Sequence, residues 1–379
     1  MSSWRRFCWS ILLIGGLASL AQAEVQALGQ VSVPVADRET GSRNQAIEQG
    51  LEQVLVRLSG QPAPRSLPGA SELFGAPARW VQQFGYEQVE PVLVEPVTGT
   101  PPANPARPGI RLAMQFDVSA VISAMEKAGL PVWATHRPPV LVWLVIQRPG
   151  VGEILSRDHA DPARPALMDQ ARLRGLPLVL PAMNDRDQGV ISPADIRGRF
   201  DHVIDQASAP YGTRFRLVAV MYTGSTARLR WRLLDGASEV ADGELEGGDE
   251  AFLVAQLADQ VTQYFVSRYT VTAGAGVERR LTVRGVASLQ DWHTLERYLS
   301  GLAGMKQARM AAVSADQVQF ALVFGGGDEQ LMRLLEVNRH LDLCEPPALA
   351  PAPVAAVAGS AGPEQAEPPS ELAPVCWQP

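Results

Sequence analysis

The side chains that most often do chemistry in proteins are few and scattered in this 379-residue chain. The five histidines stand far apart with no H-E-x-x-H pair, and no cysteine has a neighbour at metal-ligand spacing. No serine lies in the G-x-S-x-G pattern of an α/β-hydrolase nucleophile. We therefore expect no metal site and no cofactor, and we favour a protein that is not an enzyme.

Two short segments are similar to ion-binding loops without completing them. In "NDRDQG", Asp185 and Asp187 have the spacing of calcium ligands. The glycine comes one place early and the closing glutamate is missing, so a solvated loop is favoured. In "FGGGDEQ", residues 325–327 could offer backbone amides to an anion before a helix. No Lys-Ser/Thr follows, which favours a tight turn.

Aromatic and basic residues suggest two binding surfaces. Trp133 and Trp143, near Arg137, could line a sugar or peptide groove, although large aromatics in apolar surroundings are more often core residues. The second surface consists of three alternating arginines on one strand, which we predict to contact a partner protein: Arg228, Arg230 and Arg232. Internal pairing of these arginines with Glu244, Glu246 and Asp249 is the open alternative.

Cys344 and Cys376 are the two cysteines that remain once the first residues are set aside as a signal peptide. An oxidising compartment would allow them to form a disulfide. Sequence spacing does not show proximity, so two free thiols remain the alternative.

The elements that position these residues begin with an N-terminal α/β domain, residues 24–150. A β-branched strand precedes a helix whose apolar residues form one stripe: Ile47, Leu51, Val54, Leu55 and Leu58. Further on, residues 140–146 are apolar at every position, which is typical of a strand buried on both faces.

Residues 151–272 predict a middle α/β domain that contains a meander of strands with one wet face. After a polar, Gly-containing link, residues 278–344 have the order strand, helix, strand, strand, helix, strand, which is that of a ferredoxin-like unit. The fold class is therefore α+β, built from several small α/β modules. Residues 345–379, rich in Pro and Ala and without Lys or Arg, predict a disordered tail.

Residues 1–23 have the features of a cleavable signal peptide. Arg5 and Arg6 precede the short apolar run "FCWSILLIGGLASL", and Ala21-Gln22-Ala23 is an A-x-A cleavage site. No later run approaches eighteen apolar residues, so we expect no transmembrane segment after signal removal and a periplasmic location. A net charge of −7 argues against nucleic acid as a partner.

Three separated stretches carry a resemblance to a known family. They are "VPVADRETGSRNQAIEQGLEQVLVRLSG", "FDVSAVISAMEKAGLPVWATHRPPVLVWLV" and "VISPADIRGRF". Their pattern resembles that of exported proteobacterial proteins of the domain-of-unknown-function family two-zero-six-six, over most of the chain up to about Leu343. The resemblance implies export and assigns no activity.

Two classes of function remain. The first is a non-enzymatic adaptor or assembly factor of the cell envelope, whose sheet edges and helix faces bind an envelope protein. The second is an envelope enzyme or ligand-binding protein that acts on cell-wall or lipid-linked material through a carboxylate such as Asp185 or Asp187. The lack of a paired catalytic motif favours the first.

Overall fold

The computed structural model describes residues 27–89, 109–133, 135–224, 226–272, 274–314, 317–337, 341–344 and 370–378. The predicted signal peptide lies outside this part of the chain. Among the described helices, none is long and apolar enough to cross a membrane.

The chain contains both helices and strands, and the strands form several separate sheets, in agreement with the predicted α+β class. The helices are α1 (Thr40–Ser59), α2 (Ser71–Phe74), α3 (Val118–Lys127), α4 (Ala163–Arg174), α5 (Asp185–Val190), α6 (Pro193–Arg197), α7 (Asp201–Ser208), α8 (Glu250–Tyr269), α9 (Leu289–Ser300) and α10 (Asp328–Glu336). The strands are β1 (Gln30–Val35), β2 (Val81–Val89), β3 (Gly109–Phe116), β4 (Pro131–Trp133), β5 (Val140–Arg148), β6 (Val151–Ile154), β7 (Leu178–Val179), β8 (Phe215–Tyr222), β9 (Arg228–Asp235), β10 (Ser238–Glu246), β11 (Thr270–Thr272), β12 (Val277–Arg284), β13 (Met305–Ser314), β14 (Gln317–Phe324), β15 (Leu341–Leu343), β16 (Ser370–Glu371) and β17 (Val375–Trp377).

The first sheet has the antiparallel order β1-β3-β2 and carries α1 on one face. Alternate residues of β1 and β3 are buried on that side, including Val31, Val33 and Leu112. The predicted stripe of α1 is buried as well. The period of two in the strands thus leaves the other face of the sheet to polar residues.

The second sheet has the order β10-β9-β8-β5-β6, with β8, β9 and β10 forming the predicted antiparallel meander. Strand β5 runs parallel to the central strand β8, and the short β7 pairs parallel with β5. The sequence analysis placed residues 140–148 at the end of the N-terminal domain, and the structure corrects this, because β5 pairs with a strand about seventy residues further on. The side chains of β5 alternate between two buried apolar clusters, so both faces are covered as expected.

The third sheet has the order β13-β14-β12-β17-β15. Without β17, this is the order of a ferredoxin-like unit. The predicted disordered tail, residues 345–379, is corrected for residues 370–378, which add β16 and β17 to this sheet. Leu372, Val375 and Trp377 are buried, and the burial of their apolar side chains stabilises this segment in the sheet. The average composition of the tail, which is dominated by Pro and Ala, did not indicate these three residues.

Candidate functional site

A groove of about 1050 Å³, lined by polar and apolar residues in similar measure, lies at the open face of the first sheet. The pairing of the strands aligns residues in rows across this face. The rows are Gln30–Gln115–Gln83, Ser32–Ala113–Gly85 and Pro34–Arg111–Glu87. Gln30, Gln83, Gln115 and Ser32 therefore give the floor of the groove side chains that both donate and accept hydrogen bonds.

Arg111 is held flat on this floor. Its Nε donates to Ser32 Oγ at 2.9 Å, and its Nη2 donates to the Ser32 carbonyl oxygen. Glu87 lies directly opposite Arg111 in the strand pairing. The Ser32 hydroxyl and carbonyl thus hold the Arg111 guanidinium against β1.

One wall of the groove comes from two helices. Gln53 and Arg57 of α1 lie one helical turn apart, and Asp169, Arg172 and Leu173 come from the last turns of α4. Because α1 packs against α4, the wall has a rigid base. The groove thus joins the N-terminal sheet to a helix from the middle of the chain.

Arg57 is the most unusual residue of the groove. Its side chain is buried, and its Nη1 donates to the carbonyl oxygens of Gln30 at 2.6 Å and of Leu28 at 3.2 Å. Its buried Nε has no hydrogen-bond partner among the described residues. Burial, and secondarily the positive charge of Arg172, lower the pKa of Arg57 to about 10. The guanidinium therefore stays charged at neutral pH, although burial disfavours the charged form.

Positive charge outweighs negative charge along the groove. Three arginines and two carboxylates line it: Arg57, Arg111, Arg172, Glu87 and Asp169. Asp169 lies 3.7 Å from Arg172 on the surface of α4. An anionic group of a ligand would compensate the excess. The arginines, glutamines and carboxylates that line the groove are groups that bind charged and hydrogen-bonding ligands.

The three arginines predicted from the sequence lie on β9, away from the groove. Arg228 pairs with Glu246 at 2.8 Å and Arg230 with Glu244 at 3.3 Å, both across to β10. Arg232 is buried and contacts Asp201 at the start of α7. Asp249 instead caps α8 by accepting from the Phe252 amide. The contacts thus correspond to internal pairing for all three arginines, and their predicted role in partner binding stays a prediction.

Cys344 and Cys376 are joined in the structure, with an S–S distance of 2.10 Å and a Cα–Cα distance of 5.1 Å. Asp342, two residues before Cys344, is paired with Cys376 where β15 meets β17. The bridge therefore links the tail to the edge of the third sheet.

The other candidate groups serve the fold. Asp187 is buried and accepts from the Tyr211 hydroxyl at 2.7 Å, while Asp185 opens α5, so "NDRDQG" forms a short helix rather than the expected loop. The Asn184 side chain starts that helix by accepting from the Asp187 amide. Among the described residues, no group of three or more His, Cys, Asp or Glu is arranged to hold a metal ion.

The aromatic and glycine candidates are also structural. Trp133 and Trp143 are buried in the core, and Arg137 lies over Trp133 at 3.8 Å. The carbonyl of Gly326 in the "FGGGDEQ" turn accepts from Arg279 Nη2 at 2.9 Å. The Gly325 amide donates to the Gly304 carbonyl at 2.9 Å, so this amide is used within the fold.

The sequence analysis missed the groove, although its pattern is present in the sequence. Polar residues alternate with apolar ones in β1 and β3, as in Gln30, Ser32, Arg111 and Gln115. Only the pairing of distant strands aligns them into rows. Arg57 is inconspicuous in the sequence because a basic residue near the end of a helix is common.

Comparison with known families places the groove in a recognised region. A domain of unknown function, DUF8605, matches residues 22–134, which include most of the residues lining the groove. No curated protein matches the chain. The resemblance seen in the sequence was to a family with a different number, and it extended to about Leu343. The region matched by the family model is shorter. Residues 22–134 carry a domain of unknown function.

Proposed function

We propose that this chain is an exported periplasmic protein that acts without catalysis, as an envelope adaptor or assembly factor, and that the groove on its first sheet binds an extended acidic segment of a protein partner. The observation that carries the proposal is the groove itself, with its rows of hydrogen-bonding side chains beside the buried Arg57. Export is supported by the signal-like residues 1–23.

The shape and chemistry of the groove favour a peptide over a sugar. Phe84 is the one aromatic residue among the described lining residues, and its row is that of Val31 and Met114, on the helix-covered side. Sugar sites commonly stack a ring on an aromatic face, whereas glutamine amides match the alternating donors and acceptors of an extended backbone.

The charge of the groove favours acidic side chains in that peptide. A carboxylate near Arg57 and Arg172 would pair with two positive groups that repel each other in the free protein. Arg172 is the more accessible of the two, because its side chain is 74% exposed whereas that of Arg57 is buried.

A site-specific photo-crosslink tests the location of binding. A benzophenone amino acid replaces Gln83, which lines the groove, or Gln88, which is on the same strand but belongs to the row of Val35 and Ile110 on the other face. We expect a protein adduct in envelope extract from position 83 and little from position 88. Equal adducts at both positions, or none at position 83, would contradict the proposal. A retained glycan would favour the ligand-binding alternative.

A charge variant tests the role of the arginines. The Arg172 side chain is 74% exposed, so Arg172→Gln should leave the melting temperature unchanged. It should weaken capture of the crosslinked partner about tenfold, since charge-assisted hydrogen bonds contribute about 1.5–3 kcal/mol. Arg186→Gln, at an exposed position outside the groove, is the matched control. Unchanged capture by the Arg172 variant would exclude an acidic segment.

A further inference from the structure

The tail strand β17 lies inside the third sheet rather than at its edge. Its residues Val375 and Cys376 run parallel to Val283 and Arg284 of β12, and on its other side β17 pairs antiparallel with β15. Removal of β17 would leave a slot between β12 and β15. The chain therefore fills, with its own C-terminal segment, a position that has strand partners on both sides.

The slot has the features of a peptide-binding site. Backbone hydrogen bonds flank it, among them Leu372 N to Arg280 O at 2.9 Å and Cys344 N to Pro374 O at 3.2 Å. Leu372, Val375 and Trp377 are buried, while Glu371 is exposed. The slot thus selects an extended segment with apolar residues at defined positions.

Gly285 shows how closely the segment is held. Its φ is +80°, and a Cβ at this position would lie 2.9 Å from the Trp377 carbonyl oxygen. A glycine allows two backbones to approach more closely than a residue with a Cβ would allow. The fit therefore involves the backbone as well as the side chains.

The segment is connected to the rest of the sheet by a long stretch of chain. Residues 345–369 join Cys344 to Ser370. The Cα atoms of Cys344 and Cys376 are 5.1 Å apart. Since six strand residues cover about 20 Å, the connection needs to span roughly 25 Å, and 25 extended residues reach about 80 Å. The connection is long enough to place the same segment in the slot of another molecule.

We propose that the slot between β12 and β15 is a binding site for the C-terminal segment 370–378 in trans, so that two copies of this chain exchange their tails once the Cys344–Cys376 bridge is reduced. An external dithiol donates two electrons to the bridge, which becomes two thiols, and the dithiol becomes a disulfide. The reverse exchange with that disulfide then joins Cys344 of one copy to Cys376 of the other.

Two differently tagged full-length chains test this exchange. They are mixed at high concentration, reduced with a dithiol, and reoxidised with the disulfide form of the same reagent. We expect a heterodimer on non-reducing gels, and mass spectrometry should place the interchain bridge between Cys344 and Cys376. Mixing without reduction should give monomers only. A Cys376→Ser chain should give no bridged dimer.

A nicked chain keeps the test decisive where dimers are rare. A protease site is introduced within residues 345–369 of the full chain and cut, and a labelled peptide of residues 370–379 is added. Fluorescence anisotropy should rise after reduction, with a Val375→Asp peptide at least tenfold weaker and a Glu371→Gln peptide unchanged. Absence of both the heterodimer and peptide uptake, in protein whose circular dichroism is unchanged by the dithiol, would overturn the proposal.

Discussion

Buried arginines determine much of the local structure at the residue scale. Arg137 donates from Nη2 to the Arg57 carbonyl and from Nη1 to the Gly175 carbonyl, and Arg174 Nη2 donates to the Gly60 carbonyl at 3.0 Å. These carbonyls lie at the C-terminal ends of α1 and α4, where backbone acceptors lack helical partners and the helix dipole is negative. Cationic side chains therefore fix the joint that forms the base of the groove wall.

Replacement of the β9 arginines should affect the stability of the protein to two different degrees. The side chains of Arg228 and Arg230 are 56% and 67% exposed, and each pairs with a glutamate of β10, so a glutamine at either position should cost at most about 1 kcal/mol. The Arg232 side chain is 8% exposed, and Arg232→Gln removes the buried guanidinium that pairs with Asp201. We expect the latter to lower the free energy of unfolding by about 1–3 kcal/mol, measured by urea denaturation.

The Arg228→Gln/Arg230→Gln double variant serves as the test of partner binding, because its fold should be nearly intact. Weaker partner capture by this variant would support the β9 surface as an interface. Unchanged capture would show that the two arginines pair with glutamates of β10 and do not bind the partner.

Two tyrosines should titrate only when the protein unfolds in alkali. Burial raises the pKa of Tyr269 to about 12 and also raises that of Tyr298, whose hydroxyl donates to the Leu334 carbonyl. Unfolded tyrosine ionises near pH 10, so the stability that these two phenols contribute falls as pH rises from about 10. Absorbance at 295 nm should show fewer ionised tyrosines in folded than in urea-unfolded protein at pH 11. In Tyr298→Phe that difference should be smaller by one tyrosine, and an equal difference would contradict the burial argument.

At the scale of elements, the end of α1 depends on one glycine. Gly60 has φ +69° and its amide donates to the Val56 carbonyl, which closes the helix in the left-handed conformation. A Cβ there would lie 2.2 Å from Val266 of α8. The C-terminal end of α1 therefore packs directly against α8.

A pair of substitutions separates backbone strain from packing at this joint. Gly129 has nearly the same φ, +68°, with nothing within 4 Å of an added Cβ. Gly129→Ala should cost about 1–2 kcal/mol from conformation alone. Gly60→Ala should cost about 1–3 kcal/mol more because of overpacking against Val266. Thermal and urea unfolding measure both, and equal losses would show that Val266 moves aside freely.

The elements also show what the sequence could and could not reveal. The stripe of α1 and the continuous apolar run of β5 are local patterns, and both were predicted correctly. The pairing of β5 with β8 joins residues about seventy-five positions apart, which local periodicity does not encode. The tail strand was missed because the Pro and Ala of residues 345–369 dominate the composition, although Leu372, Val375 and Trp377 are closely spaced. The groove likewise requires strand register, not spacing.

At the scale of the whole molecule, one apolar cluster contains residues from the first, second and third sheets and from the two-stranded β4–β11 sheet, from Leu28 to Trp377. Polar contacts also cross between units, such as Gly304 N to Glu126 Oε1 at 3.2 Å and Arg214 Nη1 to the Glu336 carbonyl at 2.8 Å. The predicted boundaries at residues 150 and 272 therefore separate regions that share packing. Cleavage of the chain at either boundary is therefore not expected to separate the two regions that it joins.

Limited proteolysis with elastase, which cuts after small residues, should therefore cut without immediate dissociation. The first cut is expected within residues 345–369, whose composition is dominated by Pro and Ala, and the second near residues 273–277, where Gly274 and Ala275 are exposed. After the first cut, residues 370–378 should stay attached on a non-reducing gel through the Cys344–Cys376 bridge and leave only on reduction. Trypsin provides the control, because residues 345–379 contain no Lys or Arg. A fragment from about Val277 to Leu343 that is degraded as fast as the tail would show that the C-terminal sheet is not an independent folding unit.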